Sequence, residues 1–180
     1  DLGFSLYALE SKLEFSAAYF RNELEDLITS DFSVFPGTSI NLAEARTEGV
    51  ELADGNTSDH WGVAPANYTR LVARYEQADL RLLRRPEHTV GFDYSVDIYD
   101  FGFILSGTWV LNREDIDGAT FARIDGEDYF TSDLVISYDL TETVALRGSV
   151  TNLFDESYET AHGFPTLGRA YYGQVVISFD

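Results

Sequence analysis

From His88 to Val96 the chain alternates without a fault. Val90, Phe92, Tyr94 and Val96 fall on one side, and Thr89, Gly91, Asp93 and Ser95 fall on the other. A period of two defines a β-strand with one apolar and one polar face. The pattern returns down the chain. Phe101, Phe103, Leu105, Gly107, Trp109 and Leu111 share a side. Leu134, Ile136, Tyr138 and Leu140 oppose Thr131, Asp133, Ser137 and Asp139. Val144, Leu146, Gly148 and Val150 oppose Ala145, Arg147, Ser149 and Thr151. Tyr171, Gly173, Val175, Ile177 and Phe179 oppose Tyr172, Gln174, Val176 and Ser178. Such strands have two stable uses. Their apolar faces pack against a second sheet, or they turn outward to lipid around a wet interior.

Read in order, the pattern predicts nine strands: Leu2–Leu9, Leu13–Ile28, Ile40–Ala53, His60–Glu76, His88–Val96, Phe101–Leu111, Asp128–Leu140, Val144–Thr151 and Arg169–Phe179. The Leu, Glu and Ala content of Leu13–Ile28 also suits a helix. Its opening alternation (Leu13, Phe15, Ala17, Tyr19 against Glu14, Ser16, Ala18) decides for a strand. Pro65 weakens the strand assignment around it, because proline cannot donate to a ladder. Short turns at 10–12, 54–57, 97–100 and 141–143 alternate with long loops at 29–39, 77–86, 112–127 and 152–168. Outer-membrane barrels carry short periplasmic turns and longer extracellular loops, so this asymmetry favours the lipid-facing use. Single-chain bacterial barrels have an even number of strands, so nine implies a sheet that this chain does not close alone.

Composition narrows the classes. With no Cys there is neither a disulfide framework nor a thiolate metal site. No run of 18 apolar residues offers a transmembrane helix. A net charge of −19 repels nucleic-acid backbones, so nucleic acid is not an expected partner. The chain has no Met and no export signal, so it is expected to be a fragment or mature piece of a longer protein.

The end of the chain carries spaced motifs in a fixed order. Asn152-Leu153-Phe154-Asp155 is followed by Tyr158-Glu159, then Gly163-Phe164-Pro165-Thr166, then Gly168-Arg169 and a strand ending in Phe179, with Asp180 beyond it. This stretch resembles the end of TonB-dependent outer-membrane receptors. Ala45 to Leu52 and Leu82-Leu83-Arg84-Arg85-Pro86-Glu87-His88 are similar to segments of the same family. The resemblance implies an all-β, antiparallel up-and-down transmembrane barrel, with this chain supplying the last nine of 22 strands and the plug domain lying elsewhere. It implies residence in the bacterial outer membrane and uptake of a scarce nutrient: a ferric siderophore, haem or cobalamin. The implied partners are outer-membrane lipid, the plug, a TonB-type energy-coupling protein and the barrel assembly machinery, with no resident cofactor.

Trp109, Tyr94, Tyr138 and Tyr171 are candidates for aromatic girdles at the membrane borders, and equally are good strand formers. Glu14, Asp93, Asp133, Arg147 and Gln174 fall on the polar faces as lining of a wet interior. Ligand contacts are expected from the long loops, where Phe32, Phe35, Tyr158, His162 and Phe164 are the aromatic and polar candidates. Tyr158 and Phe164 serve equally well as loop braces. The loop 112–127 holds Asp115, Asp117, Asp125 and Glu127, oxygen ligands of the kind Ca²⁺ takes. Arg113 stands where a calcium loop needs its first ligand, so a solvated acidic loop is the default reading. His60, His88 and His162 lack metal-ligand spacing, and no nucleophile–base motif is present, so an enzyme is not expected. Two other classes remain consistent with the residues: a small structural or adhesive outer-membrane barrel, and a secreted β-sandwich that binds a partner.

Overall fold

The computed structural model describes residues 1–9, 12–31, 38–56, 62–76 and 79–179, with backbone only for 26–31 and 40–43. Nine long strands form one antiparallel up-and-down sheet. In chain order they are β1 (Leu2–Ala8), β2 (Leu13–Asp31), β3 (Thr38–Asn56), β4 (Ala66–Tyr75), β6 (His88–Ile98), β7 (Phe101–Leu111), β10 (Tyr129–Thr141), β11 (Val144–Thr151) and β14 (Ala170–Ile177). Five short strands sit in the connections. β5 (Leu80–Arg81) folds back on β4. β8 (Arg113–Ile116) pairs with β9 (Arg123–Gly126), and β12 (Glu159–Ala161) pairs with β13 (Phe164–Pro165). Each long strand bonds to its sequence neighbour, and β1 and β14 are the two edges.

The pairing register sorts the residues into two faces. Tyr68 faces Val90, Val90 faces Trp109, and Trp109 faces Phe130. Leu134 faces Val150, which faces Tyr171. One face is therefore a continuous apolar band from Phe4 on β1 to Val175 on β14. Two aromatic contacts bracket it on β7: Phe101 lies 4.6 Å from Tyr138 by ring centroids, and Trp109 lies 4.1 Å from Phe130. These positions are eight residues apart, about 27 Å along a strand. The other face carries Glu14, Asp93, Asp133, Arg147 and Gln174, all five of the residues expected there. On that face Arg147, Asp97 and Ser137 line a cavity of about 420 Å³.

Almost nothing is buried. Among the described residues the hydrophobic core is Ala45, Ala73 and Leu82. A water-facing sandwich needs two apolar layers pressed together. Here there is one layer, with Phe4, Leu6, Trp109, Ile136 and Val175 exposed. This sets aside the sandwich. The open edges at β1 and β14 set aside a small barrel closed by these strands. The fold is part of the wall of a larger barrel.

Strand ends differ from expectation where local chemistry intervenes. The fourth long strand starts at Ala66, not His60. Pro65 has no N–H, so it offers only its carbonyl, to Asp93 N at 3.0 Å, and Val63 makes an isolated bridge with Ser95. The loop expected over 29–39 is shorter, because β2 and β3 pair as far as Asp31 and Thr38. At 19 residues each, these two strands run well past their neighbours.

Candidate functional site

Three long connections leave the same end of the sheet and fold onto one another. In the connection between β7 and β10, Asp117 makes the turn of the β8–β9 hairpin. Its carboxylate accepts Ala119 N at 2.8 Å, Thr120 N at 2.7 Å and Thr120 Oγ1 at 3.0 Å. Those donors hold the Asp117 carboxyl below its ordinary pKa. In the connection between β11 and β14, Asn152 plays the same part. It is 7% exposed, adopts φ of +51°, donates its amide to Glu156 O at 2.8 Å and accepts Glu156 N at 2.8 Å. Asp155, at φ +57°, accepts Arg169 N at 2.8 Å and closes the base of that loop. At Gly168 a Cβ would stand 2.9 Å from the same Asp155 oxygen, so a side chain there has to displace that carboxylate.

Asp115 joins the loops. It is 1% exposed and accepts three hydrogen bonds: Arg84 Nε at 2.9 Å, Ile116 N at 2.8 Å and His162 N at 2.7 Å. Burial pushes its carboxyl up, but the two amides and the Arg84 guanidinium outweigh it and hold the group below the usual carboxylate range. Arg84 sits at φ +59° and is fixed by donating its own N–H to Glu114 O at 2.7 Å. Arg113, also buried, reaches the opposite way. It donates to Thr160 O at 2.5 Å and to the Glu159 carbonyl, and lies 5.4 Å from the centre of the Tyr129 ring. Tyr129 stacks on Tyr158 at 4.2 Å. Arg123 pairs with Glu114 at 2.5 Å and donates to the Arg81 carbonyl.

Between the β8–β9 and β12–β13 hairpins lies a cleft of about 400 Å³ lined by Arg113, Asp125, Glu127, Tyr158, Glu159 and His162, among others. The His162 ring stands between Glu159 at 3.5 Å and Asp117 at 3.8 Å. The cleft is polar and acidic, with Tyr158, stacked on Tyr129, as its aromatic wall, a surface suited to holding a polar ligand.

The sequence candidates divide accordingly. Tyr158 and His162 come together in the cleft. Phe164 stays 69% exposed on β13. Phe32 and Phe35 lie outside the described residues. The four acids offered as calcium ligands do not converge: Asp115 is engaged by Arg84 and two amides, Asp117 is engaged by its own turn, and no three His, Cys, Asp or Glu residues form a metal-holding group among the described residues. The terminal motif proves architectural. Leu153 N bonds Ser132 O at 2.6 Å, Phe154 contacts Phe130 at 5.9 Å, and Phe179 is 88% exposed at the edge. Sequence reasoning missed Arg84, Arg113 and Tyr129 as parts of the site. The one signal was the pair of arginines, Arg113 and Arg123, in a loop rich in acids.

A one-layer barrel wall with short turns at one end and interlocked long loops at the other is the architecture of an outer-membrane β-barrel. The family described as TonB dependent receptor-like, beta-barrel matches residues 1–153, and the chain belongs to it. This is a family of outer-membrane proteins of Gram-negative bacteria, and its structural neighbours are transport receptors. The fold matches the ferric-catecholate import receptor Fiu of E. coli K12 over 98% of this chain and 27% of that one, at 21% identity and a TM-score of 0.76. It matches the copper transporter OprC over 98% and 30%, at 20% identity and 0.78. It matches the siderophore receptor PirA of Acinetobacter baumannii over 98% and 31%, at 18% identity and 0.76. The chain thus spans about a third or less of the length of these structures.

Proposed function

We propose that this chain is the wall and outer-loop portion of a receptor that imports a scarce nutrient across the outer membrane, driven by a TonB-type coupling protein. The apolar band faces lipid. The polar face lines a lumen filled by a plug domain. The loops tied together through Asp115 form part of the outer binding surface. The cargo is a ferric siderophore, haem or cobalamin, and the protein's work is conformational rather than enzymatic. The observation that carries this reading is the single sheet, apolar on one face and polar on the other, whose long loops meet in a polar cleft at one end.

The test is uptake by cells carrying the intact receptor, offered each of the three cargoes in radiolabelled form. Uptake of one cargo is expected, and its loss is expected when the coupling protein is deleted or residues 113–126 are replaced by a short Gly-Ser turn. Uptake of none, or uptake indifferent to the coupling protein, contradicts it.

A further inference from the structure

Charge on the polar face is one-sided. The long strands place Glu14, Glu51, Asp93, Asp97, Asp133 and Asp139 there. Among the described residues, Arg147 is the one arginine or lysine on that face of the long strands. Arg21, Arg46, Arg70 and Arg74 all fall on the other face. Some of the acids are already engaged. Asp93 accepts the Ser106 hydroxyl at 2.6 Å, and Asp133 accepts Asn152 N at 2.8 Å. Arg147 has no ion pair or side-chain hydrogen bond among the described residues.

The register runs Asp97, Gly102, Ser137, Arg147 and Gln174 across β6, β7, β10, β11 and β14. Three strand spacings separate Asp97 from Arg147, about 14 Å, too far for an ion pair. Gly102 lies between them. A Cβ there would stand 2.6 Å from Ser137 Oγ and 3.0 Å from Asp97 Oδ1, so bare backbone keeps a trough open. Val63 and Ser95 exchange backbone hydrogen bonds at 2.8 Å and close the trough on its β6 side. This is the cavity of about 420 Å³ on the polar face, with Asp97 at one end and Arg147 at the other. Asp139 is diagonal to Arg147 on β10, but it does not line the cavity and makes no ion pair with Arg147.

We infer that this trough seats a segment of the plug, and that a carboxylate of that segment pairs with Arg147. This rests on the plug-filled lumen proposed above. In an open lumen water solvates the guanidinium. Under a covering domain it needs a counter-charge, because a covered cation without one is strongly disfavoured. The acids along the rest of the wall repel a second carboxylate, so an acidic side chain of the plug finds one seat on these strands. The pair therefore sets the rotational register of the plug near the short-turn end of the lumen.

The experiment uses the intact receptor in outer-membrane vesicles. Gln174, beside Arg147 on the same rung, is replaced by a photo-cross-linking phenylalanine, and the captured peptide is read by mass spectrometry. A plug peptide that holds Asp or Glu is expected. Hydrogen exchange of that peptide is then followed in variants that keep Gln174. Arg147→Gln should speed it by roughly tenfold, the loss of one charge-assisted hydrogen bond. Arg147→Lys should stay close to wild type, and β10 and β11 should exchange unchanged in both. Arg147→Glu should speed it further, and changing the peptide's acid to Arg in that background should restore slow exchange. Where Arg147→Glu does not assemble, Arg147→Gln carries the comparison. Wild-type exchange in Arg147→Gln overturns the proposal and leaves the plug-filled lumen standing, as does a captured plug peptide without an acid. Equal acceleration by Asp139→Asn places the counter-charge on the wall itself and also overturns it. Capture of lipid, or of no other part of the receptor, overturns both.

Discussion

The Asp115 carboxylate accepts the Arg84 Nε–H at 2.9 Å across 31 residues of sequence, and with its other oxygen accepts the amide of His162, 47 residues away. One buried side chain thereby fixes three loops to each other. The barrel wall beneath makes no use of it.

Replacing Asp115 with Asn should therefore loosen loops without disturbing strands. The amide side chain loses the charge that Arg84 faces and one acceptor for two peptide N–H groups. Arg84 is half-exposed and solvent recovers part of its loss, so the local cost is about 1–3 kcal/mol. Hydrogen exchange is expected to speed up at 113–126 and 157–166 and to stay unchanged in β7 and β10. Equal acceleration in the strands would show that Asp115 supports the whole sheet.

The same contact sets a pH dependence. A carboxyl held below its ordinary value stabilises the folded loops at every pH above the unfolded value, about 4. That stabilisation is lost as pH falls through the lower folded value. Protection of the His162 amide is expected to be level from neutral pH down to about 4 and to fall only in stronger acid. The Asp115→Asn variant should show no such acid limb. Loss of protection well above pH 4 would show that the Asp115 carboxylate does not hold the latch.

Gly107 predicts a packing limit on the apolar face. A Cβ there would stand 2.2 Å from the Phe92 ring and 3.0 Å from Phe130. Gly107→Val has to push both rings out of the row that Trp109 completes, at a cost of roughly 1–3 kcal/mol. The heat-unfolding midpoint of the detergent-solubilised receptor on a gel should drop. Gly148→Ala, with open space around its Cβ, should leave it unchanged.

The strands were legible in the sequence because alternation is a local signal: Phe101–Leu111 and Val144–Thr151 have the same ends in both readings. The hairpins within the loops were not. Arg113–Ile116 and Arg123–Gly126 hold one isoleucine each among charged residues and are too short to show an apolar period, and their pairing depends on the Asp117 turn. The same holds for the site. Asp115, Tyr158 and His162 stood out by residue type, yet what Asp115 does is decided by Arg84 and His162, which reach it only through the strand order. An acidic residue in an acidic loop reads as solvated or metal-bound until its arginine arrives by way of the fold.

Trp109 offers a check on the band's upper border. The chain has two tryptophans, so Trp61→Phe leaves Trp109 as this segment's reporter. In lipid vesicles its emission should be blue-shifted and quenched more by shallow than by deep brominated lipid, as expected of an interfacial aromatic. Quenching strongest at the bilayer centre would move the border beyond the Trp109–Phe130 pair.

These 180 residues hold no cysteine, and the most direct test of the account is single-cysteine labelling of the intact receptor in living cells, on a background in which every cysteine elsewhere is replaced by Ser. Cysteines are placed at Ala119 in the β8–β9 turn, at Leu105 in the apolar band and at Glu142 in the turn between β10 and β11. A membrane-impermeant maleimide should label Ala119→Cys alone, Leu105→Cys should react only with a lipid-soluble maleimide, and Glu142→Cys should react only after the outer membrane is opened. Labelling of Leu105→Cys by the impermeant reagent in intact cells, or equal labelling of Ala119→Cys and Glu142→Cys, would contradict a lipid-facing wall with its interlocked loops outside.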